Sequence, residues 1–280
     1  MLPPGTDELI DRALREDIGD GDHTSLATMP ADAKGAVRLL VKQEGILAGV
    51  ELAAEVARRF DGGLSMHPYL NDGARVKPGE VAFHLMGPER ALLMVERVLL
   101  NFMQRMSGIA SLTRRFVDAV EGTGCTILDT RKTTPTLRAI EKWAVRLGGG
   151  ANHRHGLYDM IMIKDNHVDM AGGIAQAIDA VHAYQESKGL DLRIEVEVRD
   201  LAELEQVLQR GGVHRVMLDN FPVRLLAKAV ELIGERFETE ASGGITLDTV
   251  RDYASTGVDY ISVGALTHSA PSLDLSLKAM

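Results

Sequence analysis

Asp129-Thr130-Arg131-Lys132-Thr133-Thr134-Pro135 is the stretch from which the fold can be inferred. The residues before it, Thr126-Ile127-Leu128, are rich in β-branched side chains and predict a short buried strand. Residues 136–147 have helical spacing, with Pro135 at the predicted helix start. Arg131 and Lys132 are therefore predicted to lie on a turn at the carboxyl end of a strand, where α/β proteins bind their ligands. The alternative is a surface turn whose charges are only solvated.

The charge balance argues for a small anionic ligand. Lysine and arginine number 31 against 40 aspartate and glutamate residues, so the 280-residue chain has a formal net charge of −9. An acidic protein binds nucleic acid or anionic membranes poorly, and a local cluster of cations then indicates a local anion. The single cysteine, Cys125, excludes an intrachain disulfide and a multi-cysteine metal site. The sequence shows neither a signal peptide nor a membrane span, so we expect a cytoplasmic protein.

The chain divides into two predicted domains. Residues 1–112 mix strands and helices without βα alternation and predict a separate domain, onto which residues 268–280 can pack back. From Cys125 onward, strand-like runs alternate with helical patterns at intervals of 22 to 35 residues. Six such βα units predict a parallel sheet and suit an incomplete α/β barrel over residues 113–267. The predicted strand ends are Asp129, Lys164, Glu197, Asp219, Ser242 and Gly264.

The longest predicted helix covers residues 88–106 and is apolar almost all round, which indicates burial. Gly108 is predicted to interrupt it before a second helix that runs to Val120. Arg97, Asn101 and Arg105 recur at i, i+4 and i+8 and form one polar stripe. This stripe is either a solvated face or a face that lines a site or a partner subunit.

Five cations are predicted to converge at the barrel mouth. Arg131 and Lys132 are joined by His153 and Arg154, which follow three glycines, and by Lys164 at the next strand end. Like charges brought together destabilise a site unless an anion compensates them, and guanidinium groups match carboxylates or phosphates bidentately. Lys164 is predicted to be either an anion contact or a nucleophilic amine, with a structural ion pair as the alternative.

Acidic and small residues complete the predicted mouth. Glu197 and Asp219 can accept hydrogen bonds from sugar hydroxyls or hold waters of a Mg²⁺ ion carried by phosphates, or either can pair with a neighbouring lysine. The small residues at 242–246 and 263–267 predict a backbone phosphate site. The residues alone therefore predict a site for a phosphate at one end and a multiply anionic small molecule at the other.

These segments resemble the quinolinate phosphoribosyltransferase family, the carboxylating nicotinate-nucleotide pyrophosphorylases. The resemblance runs nearly end to end, and its most specific segments are Thr130-Arg131-Lys132-Thr133-Thr134-Pro135 and Ile163-Lys164-Asp165-Asn166-His167. Further matching segments are 96–101, Asn152-His153-Arg154, Glu195-Val196-Glu197-Val198, Leu218-Asp219-Asn220, Ser242-Gly243-Gly244 and 257–269. Thr136 stands where a glycine is expected in this family.

The resemblance implies an α/β protein with an N-terminal α/β sandwich domain and an open, incomplete barrel of about seven strands. It implies a homodimer, or a hexamer made of dimers. The implied reaction belongs to NAD biosynthesis and joins quinolinate to phosphoribosyl pyrophosphate, giving nicotinate mononucleotide, pyrophosphate and CO₂. Mg²⁺ is expected to bind with phosphoribosyl pyrophosphate and through waters near Glu197 and Asp219, without direct protein ligands.

The resemblance also implies roles for individual residues. The catalytic candidates are Lys132, Lys164, Glu197 and Asp219. Quinolinate and neighbouring substrate anions are expected to contact Thr130, Arg131, Lys132, His153, Arg154 and Lys164, with Arg97 contributed by the neighbouring subunit. Glu197 and Asp219 are expected to contact the ribose hydroxyls, and the 5′-phosphate is expected at Ser242, Gly243, Gly244, Gly264 and Ala265.

Three other functions remain as alternatives at this point. One is a paralogous barrel transferase of the molybdenum-operon type. Another is a Schiff-base aldolase that uses Lys164 as its nucleophile, although the crowd of arginines fits it poorly. The third is a barrel that binds a phosphorylated metabolite without turnover.

Overall fold

The computed structural model describes residues 2–280, and the chain groups into two compact units. The first unit comprises the chain up to Arg114 together with Lys132–Gly149 and Ala265–Met280. The second comprises Arg115–Arg131 and Gly150–Gly264. Within residues 2–280, no helix is both long enough and apolar enough to span a membrane.

The helices and strands follow one another in mixed order. Up to residue 119 they are α1 (Thr6–Ile18), α2 (His23–Thr28), β1 (Lys34–Val41), β2 (Gly45–Ile46), α3 (Val50–Phe60), β3 (Ser65–Pro68), β4 (Arg75–Val76), β5 (Val81–Pro88) and α4 (Glu89–Ala119). The remainder are β6 (Thr126–Leu128), α5 (Arg138–Leu147), β7 (Ile161–Ile163), α6 (Asp165–Ala171), α7 (Ile174–Lys188), β8 (Ile194–Val198), α8 (Leu201–Arg210), β9 (Arg215–Asp219), α9 (Val223–Ile233), β10 (Glu238–Ser242), α10 (Val250–Ala254), β11 (Tyr260–Ser262), α11 (Ala265–His268) and β12 (Leu275–Ala279).

Helix α5 falls in the first unit, whereas the predicted division placed it in the barrel domain. One contact that joins α5 to this unit is an ion pair with α4. Glu141 of α5 is fully buried, and its carboxylate accepts hydrogen bonds from the guanidinium group of Arg105 on α4. A buried carboxylate requires such a partner, which ties α5 to the helix of the first unit.

The first unit contains an antiparallel sheet with the strand order β12-β1-β5-β3. Leu39 of β1 lies opposite Leu277 of β12 on one side and opposite Phe83 of β5 on the other. All three side chains are buried. Apolar cross-strand neighbours of this kind fix the register, because a slip of one residue would turn the apolar face to solvent.

Helix α4 runs without interruption for 31 residues through Gly108, where the sequence predicted a break. That prediction was wrong because Gly108 serves a tertiary contact. A Cβ atom at this position would lie 1.9 Å from the carbonyl oxygen of Pro271 and 3.1 Å from the Cα of Ser272. Glycine costs a helix only about 1 kcal/mol relative to alanine, which burial of Leu99 and Met103 on the same helix outweighs.

Gly108→Ala is expected to destabilise the protein, although alanine normally favours helices over glycine. The added methyl group would overlap the Pro271 carbonyl, and overpacking of this kind costs about 1–3 kcal/mol. Urea unfolding measures the change, with Arg115→Ala at an exposed position of the same helix as the control. A more stable Gly108→Ala variant would contradict the close approach of the helix to Pro271.

The second unit is built on a parallel sheet with the strand order β6-β11-β10-β9-β8-β7. Ala151 forms a parallel bridge to Leu128, which extends the sheet by one position beyond β6. Six strands and this bridge agree with the predicted open barrel of about seven strands, and the α/β fold class is confirmed. Because all six strands are parallel, their carboxyl ends lie along one edge of the sheet.

Helix α5 begins at Arg138, later than predicted, because the backbone at Thr136 is left-handed with a φ of 70°. This conformation cannot continue from Pro135 into a right-handed helix. It costs a residue with a Cβ atom about 1–2 kcal/mol, whereas glycine adopts it readily. The backbone therefore explains why a glycine is expected at position 136.

Candidate active site

Asp129, directly after β6, anchors the loop that carries two of the predicted cations. Its buried carboxylate accepts hydrogen bonds from the main-chain N–H of His153 at 2.9 Å and from the side-chain amide of Asn152 at 2.5 Å. The main-chain N–H of Ala151 donates to the carbonyl of Ile127 in β6 at 2.8 Å. Residues 151–154 are therefore fixed beside the strand end that Arg131 follows.

Arg131 and Arg154 lie close enough for their charges to interact. The pKa of Arg154 is lowered, first by burial and then by the positive charge of Arg131. The Arg154 guanidinium group also donates to the carbonyl of Met160 at 3.1 Å, which limits its orientation. Two neighbouring cations in a partly buried position favour an anion between them, because its charge relieves their repulsion.

Lys164, directly after β7, forms an ion pair with Glu197 near the end of β8. Lys164 Nζ lies 3.0 Å from Glu197 Oε2, and the lysine side chain is 46% exposed while the glutamate side chain is 9% exposed. The main-chain N–H of Lys164 donates to His167 Nδ1 at 2.9 Å at the start of α6. The structure thus brings these two predicted site residues together and leaves the ammonium group accessible to a ligand.

Asp219 and Ser242 end neighbouring strands and lie directly opposite each other. Between them, Asn220 has a φ of 56° and donates its main-chain N–H to the Ser242 carbonyl at 2.8 Å. The Asn220 side-chain amide donates to the Asp219 carboxylate at 2.6 Å. A Cβ atom at Gly243 would lie 2.2 Å from Asn220 Oδ1, so glycine is required there. The turn of small residues is therefore held next to the Asp219 carboxylate.

His153 is oriented differently from the other predicted site residues. Its side chain is only 5% exposed, and Nδ1 accepts a hydrogen bond from the main-chain N–H of Arg154 at 2.7 Å. Nε2 lies 2.9 Å from Glu195 Oε2 and 3.5 Å from Glu240 Oε2. Both ring nitrogens are therefore engaged with the protein.

The sequence motifs predicted no role for three charged residues of neighbouring strands, namely Glu195, Arg215 and Glu240. Both glutamates are fully buried, and Arg215 Nη1 lies 2.8 Å from Glu240 Oε2. Burial raises the pKa of Glu195 and of Glu240 to about 7. A signal was present, because Glu195 and Glu197 alternate with valines in a wholly buried strand and so point to the same face. The prediction considered only the residue that ends each strand.

The predicted site residues are divided between the two units. Thr130, Arg131, His153, Arg154, Lys164, Glu197, Asp219, Ser242, Gly243, Gly244 and Gly264 belong to the second unit. Arg97, Lys132 and Ala265 belong to the first. In the first unit, the Lys132 carbonyl accepts a hydrogen bond from the Thr267 hydroxyl at 2.8 Å, and Ala265 begins α11.

The residues of the predicted polar stripe on α4 differ in their surroundings. Arg105 is bonded to the buried Glu141 at 2.8 Å and to the carbonyl oxygens of Thr267 and Ala270. Arg105 therefore serves its own chain. Arg97 and Asn101 are exposed, so the Arg97 end of the stripe is the part that can face a ligand or a partner.

A cleft of about 460 Å³ lies within the first unit and is lined by side chains of α1 and α4. Three carboxylates, from Glu8, Glu16 and Asp17, line it against two cations, from Arg12 and Arg105. This balance disfavours a multiply anionic ligand. The strand ends of the second unit, where the cations collect, are the better candidate.

Both halves of the chain match known proteins. Residues 109–278 match the family model described as the quinolinate phosphoribosyl transferase C-terminal domain, and residues 22–107 match the N-terminal domain. The chain is 48% identical to quinolinate phosphoribosyltransferase (decarboxylating) 1b of Nicotiana tabacum, over 96% of this chain and 81% of that protein. It is 42% identical to the probable nicotinate-nucleotide pyrophosphorylase (carboxylating) of Bacillus subtilis, over 96% and 92% of the two chains. The crystal structure of NadC from Streptococcus pyogenes superposes with a TM-score of 0.94 at 39% identity and covers 100% of this chain and 99% of that one.

Proposed function

The chain belongs to the quinolinate phosphoribosyltransferase family, and from that premise we propose that the strand ends of its parallel sheet bind quinolinate and phosphoribosyl pyrophosphate. The protein is a transferase that moves the phosphoribosyl group to the ring nitrogen of quinolinate. The products are nicotinate mononucleotide, pyrophosphate and CO₂. The observation that carries the location of the site is geometric: Asp129 holds the loop of Arg154 beside the end of β6, and Lys164 follows β7 with its ammonium group 3.0 Å from Glu197.

Quinolinate carries two adjacent carboxylates, which the cations around β6 and β7 suit. Arg131 and Arg154 offer planar guanidinium groups, and Lys164 adds an accessible ammonium group. Guanidinium groups bind carboxylates through two parallel hydrogen bonds, which also fixes the plane of the attached ring. These residues therefore orient the ring nitrogen towards the sugar.

The phosphoribosyl group suits the neighbouring strand ends. The turn of Ser242, Gly243 and Gly244 offers main-chain N–H groups and no bulky side chains, which favours a 5′-phosphate. Glu197 lies opposite Met217, two residues before Asp219, so the two carboxylates point to the same face. Both can accept hydrogen bonds from ribose hydroxyls. Their negative charge also stabilises the cationic, oxocarbenium-like sugar that forms as pyrophosphate leaves.

Mg²⁺ fits this donor set. The ion prefers carboxylate and phosphate oxygens and usually keeps several of its own waters, so Glu197 and Asp219 would hold it through those waters. When it is bound with phosphoribosyl pyrophosphate, it supplies positive charge that stabilises the pyrophosphate leaving group.

Decarboxylation follows from the same cations. After the sugar is transferred, loss of CO₂ leaves an electron pair on the ring carbon next to the positively charged ring nitrogen. The positively charged nitrogen stabilises this pair in the intermediate, and Lys164 and Arg154 add positive charge nearby. The ring carbon then takes up one proton from water, which gives nicotinate mononucleotide. Lys132 directly follows Arg131 in the chain and is a further candidate to supply positive charge near this ring carbon.

The remaining assignments concern the first unit and the assembly. We propose that Arg97 reaches the site of a neighbouring subunit in a homodimer, or in a hexamer made of dimers. Its exposure on α4 supports this, since the other end of the polar stripe is already engaged by Glu141. Gly264 and Ala265 are proposed to complete the phosphate turn. The Schiff-base alternative has less support, because Lys164 Nζ lies 3.0 Å from Glu197 Oε2 and is engaged in an ion pair rather than placed alone as a nucleophile.

The function is tested by incubating the purified protein with quinolinate, phosphoribosyl pyrophosphate and Mg²⁺. Stoichiometric nicotinate mononucleotide and CO₂ are expected. Borohydride added during turnover is expected to trap no substrate on Lys164. A stable adduct there, without nicotinate mononucleotide, would instead indicate the aldolase.

The enzyme is expected to require both carboxylates of quinolinate. Nicotinic acid lacks the carboxylate that leaves as CO₂, and therefore loses at least one charge-assisted contact worth about 1.5–3 kcal/mol. Its kcat/KM is expected to be lower by about a hundredfold or more, since the same carboxylate also positions the ring. Competition assays with the two acids measure the ratio. Comparable kcat/KM values would contradict the proposed recognition of a dicarboxylate.

A further inference from the structure

A buried cluster of three titratable side chains lies behind the cations of the proposed site. It consists of His153, Glu195 on β8 and Glu240 on β10, and the nearest ligand-type atoms of all three lie within 4.8 Å of one another. Both glutamates are fully buried. Burying carboxylates is strongly unfavourable unless they are paired or protonated, so this arrangement needs a physical reason.

The hydrogen bonds of His153 fix its tautomer. The main-chain N–H of Arg154 donates to Nδ1 at 2.7 Å, so Nδ1 must present a lone pair. In the neutral ring the proton then lies on Nε2, which is 2.9 Å from Glu195 Oε2 and donates to it. Neither nitrogen is directed at a ligand. The ring instead connects the main chain of Arg154 to the interior of the barrel.

A metal ion is the first alternative for one histidine and two glutamates. Binding through Nε2 would require removing the proton that Glu195 accepts, while Nδ1 is already occupied by the Arg154 N–H. Glu240 Oε2 also lies 2.8 Å from Arg215 Nη1, a fixed cation that a metal would have to displace. The cluster is therefore better suited to hold a proton than a metal.

Charge balance supports a shared proton. Burial raises the pKa of both glutamates to about 7, and for Glu240 the charge of Glu195 adds to the effect. Two buried carboxylates so close together do not both ionise easily, which favours one proton shared between them. The titratable and charged groups around the pair are Arg215 on β9, Arg154 and the neutral His153 on the loop, and Glu197 on β8. Arg215 Nη1 lies 2.8 Å from Glu240 Oε2 and offsets part of the remaining negative charge, although Arg215 is also bonded to Glu238.

We propose that Glu195, supported by Glu240, is a positioning residue that holds His153 in one tautomer, so that the histidine ring fixes the main chain of Arg154 and aims its guanidinium group at the substrate carboxylate. His153 acts through Arg154 and does not touch quinolinate. Asp129 holds the same loop from the other side through the His153 N–H. This inference rests on the proposed function.

Two substitutions at Glu195 separate this role from a general effect on folding. Glu195→Gln keeps an oxygen that accepts the Nε2 proton, and is expected to change KM for quinolinate by less than about threefold. Glu195→Leu has a similar volume but no acceptor, and is expected to raise it by about tenfold, as for other lost hydrogen bonds to charged groups. KM for phosphoribosyl pyrophosphate is expected to change by less than about twofold in both variants, because its strand ends do not contact His153.

Glu238→Gln is the matched control. Glu238 lies on the same strand as Glu240 and is also bonded to Arg215, at 3.0 Å. The hydrogen bond of His153 Nε2 is made to Glu195 and does not involve Glu238. Its KM for quinolinate is expected to be unchanged. An equal rise in Glu238→Gln and Glu195→Leu would show that any disturbance of the buried charges loosens the barrel, and would overturn the specific role of Glu195.

A double-mutant cycle tests whether Glu195 acts through His153. The variant that combines His153→Ala with Glu195→Leu is expected to have the same KM for quinolinate as His153→Ala alone, because both changes remove the same contact to the main chain of Arg154. Additive losses would mean that Glu195 acts independently of His153, and would overturn the proposal. Wild-type turnover is measured first, so that absence of any turnover identifies a failure of the proposed function instead.

The tautomer has a readout that does not depend on activity. Nitrogen NMR of histidine-labelled wild-type protein, with His153→Asn to assign the signal, is expected to show Nε2 protonated and Nδ1 unprotonated at neutral pH. In folded Glu195→Leu, the signal is expected to show a mixture of tautomers. A wild-type His153 protonated at Nδ1, or a signal unaffected by Glu195→Leu, would overturn the proposal.

Discussion

Arg131→Ala and Arg154→Ala are each expected to lower kcat/KM for quinolinate by about ten- to a hundredfold or more while leaving the fold intact. Arg154 is partly buried, and the charge of Arg131 contributes to lowering its pKa. A substrate carboxylate between the two guanidinium groups removes that repulsion. Each lost charge-assisted contact therefore costs roughly 1.5–3 kcal/mol of binding to the transition state. Steady-state kinetics with both substrates varied measure the loss.

Arg199→Ala is the matched control for these variants. Arg199 also follows a strand of the parallel sheet, but it is exposed and bonded to Glu203 at 2.8 Å and to Asp169 at 3.0 Å. Exposed ion pairs contribute little, so this variant is expected to keep kcat/KM within about twofold of wild type. Circular dichroism establishes that all three variants are folded. Near-normal kcat/KM in a folded Arg131→Ala or Arg154→Ala variant would mean that the pocket lies elsewhere.

The parallel sheet could be predicted because its strands and turns carry local signals. Each of the six predicted strand ends lies within about two residues of an end in the structure, as Asp219 and Ser242 illustrate. Errors arose where a distant contact overrides a local preference. Gly108 reads locally as a helix breaker, and only the approach of Pro271 shows why it lies inside a helix. Thr136 likewise adopts a backbone conformation that its own side chain disfavours.

Only the part of the site formed by residues at the strand ends could be predicted from the sequence. The cations lie in short motifs at strand ends, where parallel topology alone brings them together. Glu195 and Glu240 were missed because they lie one step inside the barrel, and sequence does not show which strand positions share a layer. The orientation of His153 could not be predicted either. Its position between Asn152 and Arg154 suggests a residue that binds the ligand, and only the structure shows that its Nε2 is bonded to Glu195.

Arg97→Ala and Lys164→Ala are each expected to be nearly inactive alone and to recover activity when mixed. Arg97 is exposed on α4, whereas its neighbours Val98 and Leu99 are buried. Arg105, about two turns along the same helix, is already bonded to the buried Glu141 of its own chain, whereas the exposed side chain of Arg97 can extend to a neighbouring subunit. We therefore propose that Arg97 reaches the barrel mouth of the partner subunit. The two variants would then lack different parts of one shared site.

Mixing the two inactive proteins under conditions of subunit exchange is expected to restore up to about a quarter of wild-type activity, since about half the dimers are mixed and half of their sites are whole. Mixing Arg131→Ala with Lys164→Ala is the control. Both of those residues follow strands of the same barrel, so every site in a mixed dimer still carries one defect and no recovery is expected. Mass spectrometry of isotopically labelled subunits establishes that exchange has occurred. If Arg97→Ala and Lys164→Ala exchange subunits without recovery, Arg97 serves its own chain or no site at all.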